Sequence, residues 1–219
     1  MAIELYWGSG SPYAWRVLLT LEVKKIPYVS HLLEFSKEEH KTPDYLALNP
    51  RGKVPTLKDG DFVLSESVAI MAYLDRQYPE PPLFGRNAEE TGRVWKAISD
   101  SMSYLELAGS RVIVPIFSGT VAENANDIRA AIPGVHAELG IMNHLIGKQR
   151  WLAFGRLSAA DLAVYPFVEV LLRAAGKESA KPFDLGLVPF AKRYQAIEAW
   201  RQRIRALPGY DKTYPPHWR

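Results

Sequence analysis

Pro79-Glu80-Pro81-Pro82-Leu83-Phe84-Gly85 limits how this chain can fold more than any other stretch, because prolines so closely spaced suit neither a helix interior nor a paired strand. It separates two textures. Before it, Ile3-Glu4-Leu5-Tyr6-Trp7 alternates as a strand does, with Ile3, Leu5 and Trp7 on one face. Ala14, Val17, Leu18 and Leu21 then recur at helical spacing from about Pro12. Pro27 to Leu33 reads as a second strand, and Glu34 to Asp44 as a polar loop. Val54-Pro55-Thr56-Leu57 and Phe62-Val63-Leu64 flank Asp59-Gly60, a hairpin signal. Val68, Ala69, Met71, Ala72 and Leu74 mark a helix that ends before Pro79. The order β-α-β, β-β-α predicts a parallel crossover followed by an antiparallel hairpin, hence a mixed sheet.

Beyond the break no strand pattern stands out. Trp95, Ile98, Met102 and Leu105 predict one helix face, and Val135, Leu139, Met142 and Leu145 or Ile146 another. Ser158-Ala159-Ala160-Asp161 resembles a capping box with Asp in the usual Glu position, and Pro166 predicts a kink in the helix it opens. A last helix carries Tyr194, Ile197, Trp200, Ile204 and Leu207 before Pro208-Gly209. The expected organisation is an α/β domain over 1–78, a linker over 79–88 and an all-helical domain over 89–219. With 47% hydrophobic and 23% charged residues, both parts can bury a core. A net charge of +3 spread along the chain gives no nucleic-acid footprint. No apolar run approaches the roughly 18 residues of a membrane span, and the N-terminus lacks a signal pattern, so the chain reads as cytoplasmic. It has no cysteine, which excludes disulfides, thiolate metal sites and protein-thiol redox chemistry; no metal is expected.

Ser11-Pro12-Tyr13-Ala14-Trp15-Arg16 lies where the first strand becomes a helix. A Ser before Pro is a good helix opening, and the same junction gathers free N–H groups and a positive dipole end that favour an anion. From these residues alone, Ser11 is either a plain cap or an anion-facing hydroxyl.

Tyr28 through Gly85 resembles the N-terminal domain of the cytosolic glutathione transferases. The stretch from Glu39 through Tyr45-Leu46-Ala47-Leu48-Asn49-Pro50-Arg51-Gly52-Lys53-Val54-Pro55-Thr56-Leu57 is close to plant phi-class and bacterial sequences. Leu64-Ser65-Glu66-Ser67-Val68-Ala69-Ile70 resembles the segment that holds the γ-glutamyl group. The Ser-Pro-aromatic opening resembles the tau class, and Trp15-Arg16-Val17 the zeta class. The resemblance implies a thioredoxin-like N-terminal domain and an all-α C-terminal one.

It also implies roles. Glutathione carries two carboxylates, an ammonium and a thiol. Glu66 would meet the ammonium, and Ser67 the adjacent carboxylate at a helix N-terminus. Val54, before a cis Pro55, would pair with the peptide backbone; His40, Lys41 and Lys53 would meet the glycyl carboxylate. Lys53 departs from the Gln often found there. Ser11 would donate a hydrogen bond to the thiolate, with Tyr6 as the alternative hydroxyl and Ser9 third. Tyr13, Tyr104 and Arg111 would meet the electrophile, while Asp100, with Ser101 beside it, would reach glutathione across a homodimer interface. The expected function is a transferase attacking small hydrophobic electrophiles with glutathione as co-substrate. The alternatives are a non-catalytic glutathione or hydrophobic-ligand binder on the same fold, or a glutathione-dependent isomerase or peroxidase. The tail from Lys212 to Arg219 either drapes over the pocket or is loose.

Overall fold

The computed structural model describes residues 2–219. They form two compact units: one runs to Leu83 and takes back Arg205–Arg219, and the other is Phe84–Ile204.

In the first unit, β1 (Ile3–Trp7) leads into α1 (Pro12–Val23) and β2 (Tyr28–Leu32). Two single 3₁₀ turns, Phe35–Lys37 and Glu39–Lys41, precede α2 (Pro43–Leu48); then come β3 (Thr56–Asp59), β4 (Phe62–Ser65) and α3 (Ser67–Gln77). The sheet order is β2-β1-β3-β4, with β1 parallel to β2 and the other pairs antiparallel, so the expected mixed sheet is what forms. Alternation along β1 buries Ile3, Leu5 and Trp7 and leaves Glu4 and Tyr6 half-exposed on the other face. α1 packs along α3, and Val17, Leu21, Ile70 and Leu74 join the paired Leu5 and Leu57 in a dry core. Each such side chain contributes about 1.5–3 kcal/mol by leaving water. The expected loop over Glu34 to Asp44 is in fact turned, and α2 begins inside it at Pro43, with Thr42 as its cap. Six residues are too few to show a helical period, which is why the pattern hid it.

The second unit holds α4 (Ala88–Asp100), a π-helical turn at Ser101–Leu105, α5 (Glu106–Ser118), α6 (Ala125–Gln149) and α7 (Ala159–Ala175). A 3₁₀ segment (Glu178–Phe183), α8 (Phe190–Arg193) and α9 (Gln195–Arg205) follow, the last reaching one residue past the unit. α7 is buried from Ala159 through Leu171 and runs unbroken through Pro166; a helix apolar on all sides belongs at the centre of a bundle. The expected face of α4 is corrected by one position: Val94, Ile98, Ser101 and Leu105 are buried, while Trp95 and Met102 are exposed. A polar residue took the buried place because Ser101 Oγ donates to the buried Glu106 carboxylate at 3.1 Å. On α6, Ile146 is buried and Leu145 exposed.

Beyond α9, α10 (Tyr210–Thr213) and a 3₁₀ turn at Pro216–Trp218 pack with the first unit. Among the described residues no helix is long and apolar enough to cross a membrane.

Candidate functional site

The turn from β1 to α1 is Gly8-Ser9-Gly10, and Ser11 is the N-cap of α1 with extended backbone. Its Oγ accepts the Ala14 N–H at 3.3 Å, and its own hydrogen goes to no described residue. The helix start carries no acidic side chain in its first turn, so its N-terminal dipole is uncompensated there. Ser11 is half-buried, shielded but reachable.

The other two hydroxyls of this segment are engaged. Tyr6 donates to the Glu4 carboxylate at 3.1 Å and stacks on His31 at 4.4 Å. Burial and then that carboxylate push the Tyr6 phenol above its ordinary pKa, the wrong direction for favouring a neighbouring anion. Ser9 Oγ is 2.6 Å from His217 Nδ1.

A cleft of about 260 Å³ is lined by Tyr13, Asn49, Lys53, Val54, Pro55, Ser65, Glu66 and Ser67. It brings together the cation, the acid and the helix start that the sequence marked separately. The Val54–Pro55 peptide is cis, as the resemblance implied. Glu66 caps α3 at φ 71°, a left-handed backbone that a non-glycine residue holds at a cost of about 1–3 kcal/mol. Its side chain makes no capping bond and is exposed, so the carboxylate stands clear of the helix. Ser67 follows as the first residue of α3, buried, with Oγ accepting from Arg16 Nη1 at 3.3 Å.

Arg16, given no site role from the sequence, is 1% exposed. Its guanidinium lies over the Tyr13 ring at 4.9 Å, so one side chain of α1 ties Tyr13 to the start of α3. The signal was present: the one charged residue in the run from Trp15 to Leu21. Tyr45 and Asn49 were also missed. Tyr45 donates to the Lys53 carbonyl at 2.5 Å and shares a hydrogen bond with Thr56 Oγ1 at 2.8 Å. Asn49 Nδ2 donates to the same two acceptors at 2.8 and 3.2 Å. Together they hold both flanks of Val54–Pro55.

His40 and Lys41 do not line this cleft. His40 stands edge-on to Phe35 at 5.2 Å, and its buried Nδ1 has no hydrogen-bond partner among the described residues. Lys41 Nζ donates to the Gly52 carbonyl at 3.1 Å. Gly52 has φ 56°, and a Cβ there would lie 2.8 Å from that Nζ and 3.0 Å from the His40 carbonyl, so only glycine fits. Asp100, Ser101, Tyr104 and Arg111 belong to the helical unit. Asp100 is paired with Lys96 at 2.5 Å, Tyr104 is exposed, and Arg111 is held by Asp127 through Nε at 3.0 Å to both carboxylate oxygens. Among the described residues no cluster of His, Cys, Asp and Glu forms a metal site.

The N-terminus of α3, Tyr13 from the first turn of α1, a carboxylate clear of its helix and a lysine therefore line one cleft, and Ser11 is not among its lining residues. Such a set has the charges to suit an extended zwitterion, with the helix start and Lys53 for anions and Glu66 for an ammonium.

Comparison with known proteins places the chain in a family. Residues 10–77 match the model of the glutathione S-transferase N-terminal domain and residues 125–203 that of the C-terminal domain. The chain is 30% identical to glutathione S-transferase A of Pleuronectes platessa, over 99% of this chain and 92% of that one. It is 33% identical to glutathione S-transferase F10 of Arabidopsis thaliana, over 90% of each. Its fold superposes on a crystal structure of a glutathione S-transferase from the Antarctic clam Laternula elliptica with a TM-score of 0.84 and 31% identity, covering 100% and 94% of the two chains.

Proposed function

This chain belongs to the glutathione S-transferase family and is an enzyme using glutathione as co-substrate, and we propose that Ser11 is the hydroxyl that activates the thiol. A free thiol has a pKa of about 8.5, so most glutathione is protonated at neutral pH. Ser11 donates its hydrogen to the sulfur and the α1 dipole adds to it; both favour thiolate over thiol. The proton leaves to solvent, and the thiolate attacks a small hydrophobic electrophile.

The remainder of the ligand is assigned by charge. The γ-glutamyl carboxylate sits at the Ser67 N–H, the ammonium at Glu66, and the peptide at the Val54 backbone. Lys53 meets the glycyl carboxylate, with Lys41 and His40 outside the cleft; their contacts with Gly52 and Phe35 support a role in shaping this end. The enzyme acts as a homodimer in which Asp100 of a second copy reaches the ammonium.

The observation that carries the choice of Ser11 is the unequal state of the hydroxyls: Ser11 keeps its hydrogen, Tyr6 has given its own to Glu4, and Ser9 is bonded to His217. Turnover of an aromatic halide tests it. Ser11→Ala lowers kcat/KM about 10²-fold, as loss of one donor to a reacting anion does, with little change in glutathione binding. An unchanged rate in Ser11→Ala, with activity abolished in Tyr6→Phe, reverses the assignment.

A further inference from the structure

The C-terminal end of the chain supplies a second hold on the turn that carries Ser11. Trp15, buried in α1, donates its indole N–H to Thr213 Oγ1 at 2.9 Å. Its ring meets Tyr214 and Trp218 edge-on at 5.8 and 5.6 Å, and Pro215 is buried. The 3₁₀ turn at Pro216–Trp218 then sets His217 against the β1–α1 turn. There Nδ1 and Ser9 Oγ share the 2.6 Å bond. Gly10, at φ 84°, is so close that a Cβ on it would lie 2.8 Å from His217 Cε1.

The turn needs such a hold. Two glycines in Gly8-Ser9-Gly10 leave it much freedom in the absence of contacts, while a hydrogen bond from Ser11 to sulfur weakens steeply with angle. We propose that His217 is a positioning residue for the transfer reaction: by bonding Ser9 and packing on Gly10, it fixes the turn that aims the Ser11 hydroxyl at the glutathione sulfur. The inference rests on Ser11 being the activating hydroxyl, and His217 acts through that turn without touching substrate. It also gives the C-terminal segment a task. A chain end about two hundred residues from the turn in sequence sets its geometry.

The test uses the full chain with five proteins: wild type, His217→Ala, His217→Gln, Ser11→Ala and the double variant. Turnover of an aromatic halide is measured beside the ultraviolet absorbance of enzyme-bound thiolate against pH. His217→Ala is expected to lower kcat about tenfold, within the loss a misplaced group causes. It leaves the KM for glutathione within about twofold and moves the bound thiol's pKa up toward the free value of about 8.5. His217→Gln, which can still bond Ser9, recovers most of the loss. In the Ser11→Ala background, His217→Ala costs less than about twofold more, because the group it aims is gone. An unmoved thiol pKa in His217→Ala overturns the positioning role even if the melting temperature falls, and so does a full further tenfold loss in the double variant. A wild-type rate in Ser11→Ala overturns the hydroxyl assignment instead, whatever His217→Ala does.

Discussion

Two serines open helices in this enzyme, and they are treated in opposite ways. Ser158 opens α7 in a closed arrangement: its N–H and Oγ both donate to Asp161 Oδ2, at 2.9 and 2.8 Å. Asp161 also accepts from the Leu152 N–H and the Trp200 indole, both at 2.9 Å, and neither Ser158 nor Asp161 is exposed at all. Ser11 opens α1 with one long bond, no acid in the first turn and a half-buried side chain. Where the helix start is buried, an acid from the chain satisfies it. At the start of α1, where Tyr13 of the first turn lines the cleft, the chain supplies no acid. Both helices open on a serine, and the residue three places on, Asp161 in one and Ala14 in the other, separates a closed start from an open one.

The contrast can be broken from either side. The largest effect is expected from Asp161→Ala, which strands the Ser158 and Leu152 N–H groups and the Trp200 indole in a dry core; about 4 kcal/mol of stability is lost, read as a lower denaturant midpoint. Next is Ser11→Asp. Asp caps a helix as well as Ser does, so the melting temperature holds or rises slightly, yet its carboxylate occupies the anion's place and kcat/KM falls about 10²- to 10³-fold. If activity survives that change, the open start of α1 is not the sulfur site. Ser158→Ala is smaller and of the other kind, costing about 1–2 kcal/mol in stability while turnover per folded molecule stays at the wild-type value.

The smallest effect concerns acid. Arg156, in the segment before Ser158, donates to Glu90 at 2.8 and 2.7 Å and, with the Arg86 N–H, holds that carboxyl at about 2. Its folded pKa lies below the unfolded value of about 4.3, so its contribution is complete above about pH 4.3 and is lost as pH falls toward 2. Glu90→Gln should flatten the acid limb of the stability curve across that window and leave it unchanged near pH 7.

Much of this was legible in the chain. Alternation gave β1, Asp59-Gly60 gave the hairpin, and the box at Ser158 was visible because its partners are three residues apart. What escaped notice depends on distance in sequence or on burial of a polar group. The role of Arg16 depends on Ser67, far along the chain, and on the Tyr13 ring. Tyr45 and Asn49 stood in plain view, but nothing local says that both turn toward the Lys53 carbonyl. The stripe on α4 was rotated by one residue because Ser101 is buried through a bond that hydrophobicity cannot register. The tail was least legible of all: Thr213, Tyr214 and His217 meet partners at the opposite end of the chain.

That last feature has a consequence for how the enzyme is made. Synthesis proceeds from the N-terminus, and domains tend to fold as they emerge. Here the unit that appears first is also the one that finishes last, since Arg205–Arg219 belongs to it. A nascent chain halted before Tyr210 can form its sheet and α3, but the Trp15 indole is left without Thr213 and the Ser9 hydroxyl without His217. Completion of the first unit therefore waits on residues made only after the whole of the helical unit.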